Sequence, residues 1–379
     1  MKRAITLAGG GPAAGLHIGV LERLREAGIK FDSRDDVWAL SCIGAWVGLV
    51  YNQCDLGKEV EQTYEFFRDG IFRDDASYSR FPVNTVFGTD NVTNMKAMMG
   101  FCMDPENKNL WLPDQIMKAA QDTIKFMSDR SFWNEGDFNR FVLNSVLAPN
   151  PFVRYWISLM YLSSISGLSR IYYPESSFMR AIKFNRLYDK EKPFIFHNAW
   201  NITKQKLALF SNQPSFKPKS KKPKPHLQEP YQGITSASLC ACSALPYIEQ
   251  TVEIDGDIYC EGALVDTVNF ERLLEDHPDL DEVWISRIVD AKQVHPPRNL
   301  AEALGNLCML FAATVGEDDV KLFRYHVKYD KDVKWHGKII EIRVPNDVNF
   351  EWTHSNLDRG RKAGYLAASQ ALEKYNSDK

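Results

Sequence analysis

Cys42 stands at the junction between a short apolar run, Val37–Ser41, and a helix-compatible stretch that begins IGAWVGLVY. A nucleophile on such a strand-to-helix turn projects away from its own backbone and faces a helix N-terminus, a setting expected to lower a thiol's pKa. Gly9, Gly10 and Gly11 follow a first apolar run and precede a helical one. Consecutive glycines there expose backbone N–H groups that can hold a phosphate or a developing oxyanion. The string GGGPAAG has neither the G-x-G-x-x-G spacing of dinucleotide sites nor the Gly-Lys-Ser/Thr ending of a P-loop. In Tyr259-Cys260-Glu261-Gly262-Ala263, a carboxylate precedes two small residues, so an acid can approach a nucleophile closely. Together these groups suit nucleophilic acyl transfer: a thiol, a base and amide donors for the oxyanion.

The elements that must position them are legible nearby. Residues 3–8 read as a buried strand, 16–28 as a helix with Leu16, Val20, Leu24 and Ala27 on one face and Gly28 as its C-cap, and 37–41 as a second strand before another helix. Strand, glycine loop, helix, strand, sharp turn, helix is the order of a parallel α/β sheet. From about 55 to 190 the chain is rich in Phe, Trp, Tyr and Met at helical spacing and reads as a helical insert or lid. Within it Phe152–Tyr173 suits either helical core or an acyl-binding tunnel. Residues 192–199 and 281–289 read as strands, 236–246 as a helix, and 255–256 as a hairpin turn. Residues 300–315 and 359–375 read as outer helices. The Lys/Pro run within 214–230 is expected to be a mobile loop.

Composition excludes other classes. A net charge of −3 over 379 residues gives no field favouring nucleic acid. Seven cysteines at irregular spacing suit reduced thiols in a cytoplasmic protein, and no cluster suggests a metal site. The N-terminus reads as a strand rather than a signal peptide, and no run reaches the ~18 apolar residues of a spanning helix. A soluble protein is expected, with peripheral membrane contact left open.

The motifs also carry a resemblance. Residues 9–24, GGGPAAGLHIGVLERL, align without a gap with the GGGxxGxxHxGVLxxL loop of patatin-like acyl hydrolases. LSCIGAWVG, residues 40–48, falls on that family's nucleophile elbow, G-x-S-x-G-A followed by an apolar pair and Gly. KPFIFHNAWNI, SALPY, VEIDGDIYC and EGALVDTVNF resemble its later blocks in order and spacing. The resemblance implies a single domain over 1–379 with a three-layer α/β/α fold and a mainly parallel sheet, working without a cofactor. It places Cys42 at the nucleophile, Glu261 at the general base, and Gly9, Gly10, Gly11 and the Ile43 amide at the oxyanion hole. Ser41 and Asp266 are the fallback nucleophile and acid. His17 falls on a packing position, and His197 is a strand residue that could line the pocket.

The chain departs from the family at Cys42 for Ser, Glu261 for Asp, Leu40 for the first elbow Gly, Ala14 for the last loop Gly, and Ala13 for a basic residue. Glu reaches about 1.5 Å further than Asp, and Leu40 implies a relaxed strand–helix approach. A thiol nucleophile implies a thioester intermediate, nearly isoenergetic with thioester substrates, which tilts the reading toward transfer from a fatty-acyl ester or thioester, with an acyl carrier or CoA as donor. Hydrolysis by the same intermediate, and a catalytically inactive protein that binds lipid or a partner, are the alternatives.

Overall fold

The computed structural model describes residues 1–74, 113–128, 135–142, 167–169, 177–216, 230–287, 294–298, 300–329, 335–344 and 351–377, with isolated positions between 92 and 103 and at 292. The chain forms two compact units: Met1–Gly88 with Ser169–Lys379, and Thr89–Leu168. In the second unit, α4 (Pro113–Ser128) and α5 (Glu135–Phe141) are helical. The lid or tunnel reading of Phe152–Tyr173 and the Lys/Pro run at 217–225 lie outside the described residues, apart from a strand at Gly167–Ser169.

The first unit is built on a nine-stranded sheet. In chain order its elements are β1 (Arg3–Leu7), α1 (Ala14–Glu26), β2 (Val37–Leu40), α2 (Ile43–Gln53), α3 (Glu59–Gly70), α6 (Ser177–Ala181), β3 (Phe194–Asn201), β4 (Lys206–Ser211), β5 (Gln232–Gly233) and α7 (Ser236–Cys242). They continue with β6 (Val252–Ile254), β7 (Asp257–Glu261), α8 (Phe270–Asp276), β8 (Glu282–Arg287), α9 (Leu300–Tyr329), β9 (Lys338–Arg343) and α10 (His354–Ser377). The strand order is β9–β8–β1–β2–β3–β4–β5, with β7 pairing antiparallel to the end of β3 and to β6. The five strands from β9 to β3 run parallel. The central strands β8, β1 and β2 carry buried apolar residues on both faces, as a sheet covered by helices on both sides requires.

Alternation along the strands sorts two cores. Ile5, Leu7, Trp38, Leu40 and Trp284 point to the side covered by α1, α2, α3 and α10. Ala4, Val37, Ala39, Val283 and Ile285 point to the side covered by α8 and the later part of α9. The result is the expected three-layer α/β/α arrangement. Parallel strands share their C-terminal edge, so the loop after β1 and the turn after β2 emerge side by side. That edge, next to the strand where the order reverses, is where open α/β sheets place their sites.

α1 and α10 lie in close contact along small residues. A Cβ on Gly19 would fall 1.9 Å from the Arg361 carbonyl oxygen, and one on Gly364 would fall 2.0 Å from that of Leu16. Backbone cannot move aside as a flexible side chain can, so over-packing here is severe. Gly19→Ala is expected to destabilise the protein by about 3 kcal/mol or more, read as a lowered urea midpoint at unchanged slope.

Candidate active site

The turn after β2 is held from both sides. The Ser41 N–H donates to the Leu7 carbonyl at 3.0 Å, extending the β1–β2 ladder, and α2 begins at Ile43. Between them Cys42 has φ 49° and ψ −123°, a conformation that side chains rarely adopt and that persists only where the surroundings enforce it. Gly44 is part of that enforcement, since a Cβ there would lie 2.1 Å from the Leu7 carbonyl oxygen. The expectation that Leu40 relaxes the strand–helix approach is therefore corrected. The approach stays tight at Gly44, and Leu40 fits because Gly48 leaves room for it: a Cβ on Gly48 would be 2.6 Å from a Leu40 methyl.

Glu261 ends β7, where the β3 pairing (Ala199 opposite Glu261) and a 2.9 Å bond from its N–H to the Ala244 carbonyl fix its backbone. Its carboxyl lies beside the Cys42 side chain, since a Cβ on Gly9 would meet Cys42 Cβ at 3.0 Å and Glu261 Oε1 at 3.6 Å, and both residues are buried. Burial raises the Glu261 carboxyl to about 7, with the Cys42 thiol opposing. Cys42 is not depressed as its position beside the helix N-terminus led us to expect. Burial first, then the Glu261 carboxylate, push it well above the ordinary thiol value, outweighing the Ile43 N–H that favours thiolate. The resting site therefore holds a neutral thiol beside a carboxyl that titrates near neutrality.

Gly9, Gly10 and Gly11 line the same cavity as Cys42, Ile43 and Glu261. Gly11, at φ 58°, sits in the left-handed region. Among the described residues, no protein acceptor takes the N–H groups of these three glycines, which leaves them available to a substrate oxygen. His17 fixes the approach to the loop: Nε2 donates to the Ala8 carbonyl at 2.9 Å, and Nδ1 accepts from the Ser286 hydroxyl at 2.8 Å. Burial holds this ring at a pKa of about 4, so it is neutral. A Cβ on Gly9 would meet Cys42 Cβ at 3.0 Å and Ala263 Cβ at 3.2 Å. Gly9→Ala is expected to lower kcat/KM for acyl esters by about tenfold or more through displacement of the nucleophile, with the circular dichroism spectrum unchanged.

The fallback residues serve the scaffold. The Ser41 hydroxyl donates to Asn198 Oδ1 at 3.1 Å, and Asp266 accepts from the Val268 and Asn269 N–H groups at 3.0 and 2.6 Å. His197 does not line the cavity; it stacks on Phe210 and bonds Ser238 Oγ at 3.2 Å. Two groups had no signal in the linear sequence. Cys242 Sγ accepts the Cys42 N–H at 3.1 Å, and Glu249, buried at 8% exposure, lines the cavity. Both arrive through tertiary contact, Cys242 from the end of α7 and Glu249 from the segment that follows it.

The cavity has a volume of about 570 Å³, within the range of small-molecule sites. Its walls are mainly apolar, with Trp46, Ile71, Leu245, Leu304, Phe311 and Trp352 among them. Among the described residues, no group of three or more His, Cys, Asp or Glu side chains is placed to hold a metal ion. No described helix is long and apolar enough to cross a membrane.

Comparison with known proteins places the chain in a family. No curated protein matches it. Among solved structures, VipD from Legionella pneumophila is similar over 98% of this chain and 67% of its own, at 15% identity and a TM-score of 0.40. A model of the family described as patatin-like phospholipase matches residues 5–274, a span holding the glycine loop, the Cys42 turn and Glu261. The chain belongs to the patatin-like phospholipase family.

Proposed function

We propose that this chain carries out the lipid acyl chemistry of its family through a thioester on Cys42, with Glu261 as general base and the Gly9, Gly10, Gly11 and Ile43 amides as the oxyanion site. The observation that carries the reading is the adjacent, buried Cys42–Glu261 pair, with Cys42 on a strained turn, beside unpartnered glycine amides at an apolar cavity. An acyl ester or thioester enters with its chain in the cavity. Sγ attacks the carbonyl carbon as Glu261 takes the thiol proton, and the carbonyl π pair moves to the oxygen facing the amides. Collapse breaks the bond to the leaving alcohol or thiol, which receives the proton from Glu261. In the second half, water or an acceptor nucleophile attacks the thioester, gives its proton to Glu261, and Cys42 leaves and is reprotonated.

Because the thiol is neutral at rest, activation depends on the base rather than on a stored thiolate. A thioester intermediate exchanges readily with amines and thiols, which supports transfer from an acyl thioester, such as an acyl-CoA or acyl carrier, beside hydrolysis. Intact-mass measurement after incubation with a panel of fatty-acyl thioesters and activated esters tests the proposal. One acyl mass is expected on Cys42, with release divided between free acid and acylated acceptor when an amine or thiol is supplied. Free acid alone, whatever acceptor is offered, would restrict the activity to hydrolysis. No adduct and no turnover would leave a lipid-binding protein.

A further inference from the structure

Glu249 belongs to no step of that chemistry, yet it is a second carboxyl in the wall of the same cavity. Its backbone is pinned, the N–H donating to the Leu245 carbonyl at 2.8 Å. It follows Ile248, which is buried and also lines the cavity. At 8% exposure the side chain is more than nine-tenths buried, and among the described residues no hydrogen bond or ion pair reaches its carboxyl. The titratable groups that bear on it are Glu261 and Cys240. Burial, then the Glu261 charge, hold it well above the ordinary carboxylate range, which favours the uncharged acid. Hydrocarbon packed over this carboxyl would leave it without a partner, and an all-hydrocarbon chain would be better served by Leu or Phe at this position.

We propose that Glu249 is a binding anchor within the acyl cavity, and that the chain takes acyl groups bearing an uncharged hydrogen-bonding substituent, above all a hydroxyl, on the hydrocarbon chain. The proposal rests on the reading of this cavity as the acyl site. A neutral carboxyl offers one O–H donor and acceptor lone pairs, and a hydroxyl offers the complementary pair. A saturated chain would leave the acid unpaired and be discriminated against, as polar sites reject analogues lacking their polar group. Glu249 and Ile248 both line the cavity, so the place of the anchor along the chain is read from which hydroxyl position binds best.

The test separates binding from chemistry. In Cys42→Ala protein, methyl laurate and the series of methyl monohydroxylaurates are titrated while the fluorescence of Trp46 and Trp352, which line the cavity, is followed. At least one hydroxyl position is expected to bind about tenfold tighter than methyl laurate, the worth of one or two net hydrogen bonds. Adding Glu249→Leu should erase that preference and tighten methyl laurate, whereas Glu249→Gln, which keeps a donor and an acceptor, should retain it. Equal affinities across the series in the Cys42→Ala protein, or a preference that survives Glu249→Leu, overturns the anchor. Loss of the preference in Glu249→Gln overturns it as well, since recognition would then need the ionised form. Turnover of the same esters by the unmodified protein is read in parallel. A hydroxyl preference in binding without turnover leaves the anchor standing and removes the acyl-transfer reading. Turnover without any preference does the reverse.

Discussion

Cys42→Ala is expected to lower kcat for activated acyl esters by at least about 10⁴-fold, the scale on which removal of a covalent nucleophile acts. The same substitution should abolish the acyl adduct in intact-mass measurements. What remains would come from the cavity and the glycine amides, which still bind and polarise the carbonyl. Cys42→Ser makes the prediction sharper. The turn that holds φ 49° is set by Gly44 against Leu7 and by Ser41 on β1, not by the sulfur, so the serine variant should fold normally. Its oxygen sits on a shorter bond than sulfur, further from a substrate carbonyl registered for the longer thiol. A displacement of a few tenths of an ångström predicts a loss of about ten- to a hundredfold. Serine at full activity would mean that the site retains its geometry for the family's usual nucleophile. Alanine at full activity would remove Cys42 from the chemistry.

The glycine loop, the strands on either side of it and the Cys42 turn were legible because each depends on local rules. Three glycines after a buried strand admit few other structures, whereas the tight helix–strand approach, expected from Leu40 to be relaxed, is set by Gly44 against Leu7. The hairpin at Asp255 and Gly256 was legible for the same reason, both residues holding positive φ. Long-range packing hid the rest. The helix expected over 300–315 runs on through Gly316 to Tyr329. The glycine position lies opposite Thr267 and Arg287, and Asp319, one turn on, accepts from the Thr267 N–H at 2.8 Å. Strands β4 and β9 carry Lys and Arg at their ends and take their places at and near the sheet edges, so their pattern is weak without their partners. Helix α7 stops at Cys242, short of the expected 246, because the chain must turn there to bring Cys242 to the Cys42 amide and Ala244 to the Glu261 amide. The sign of the thiol shift was illegible for a related reason. Proximity to a helix N-terminus can be read from order along the chain, whereas burial, the larger effect here, depends on everything packed around the site.

Glu261→Gln is expected to lower kcat/KM by about 10³-fold, within the usual range for loss of a general base. It should also make the folded protein more stable at pH 8 than the parent. Gln keeps the shape and can hydrogen-bond the thiol, but it cannot take a proton. In the parent, activity should rise with pH through about 7 as the carboxyl ionises, and the variant should lack that limb. The stability effect has the opposite sense. A carboxyl raised from 4.5 to about 7 holds its proton more tightly folded than unfolded. Its contribution is complete below about pH 4.5 and is lost as pH rises through about 7. The loss amounts to about 3 kcal/mol at 1.36 kcal/mol per unit, for a group that is fully buried. The Glu261→Gln substitution would remove that dependence, so urea unfolding of parent and variant should nearly coincide at pH 4.5 and diverge by up to about 3 kcal/mol at pH 8. Coincidence at both pH values would show that Glu261 ionises as freely folded as unfolded. A base with an ordinary pKa would then put the rising limb of activity near pH 4.5 instead.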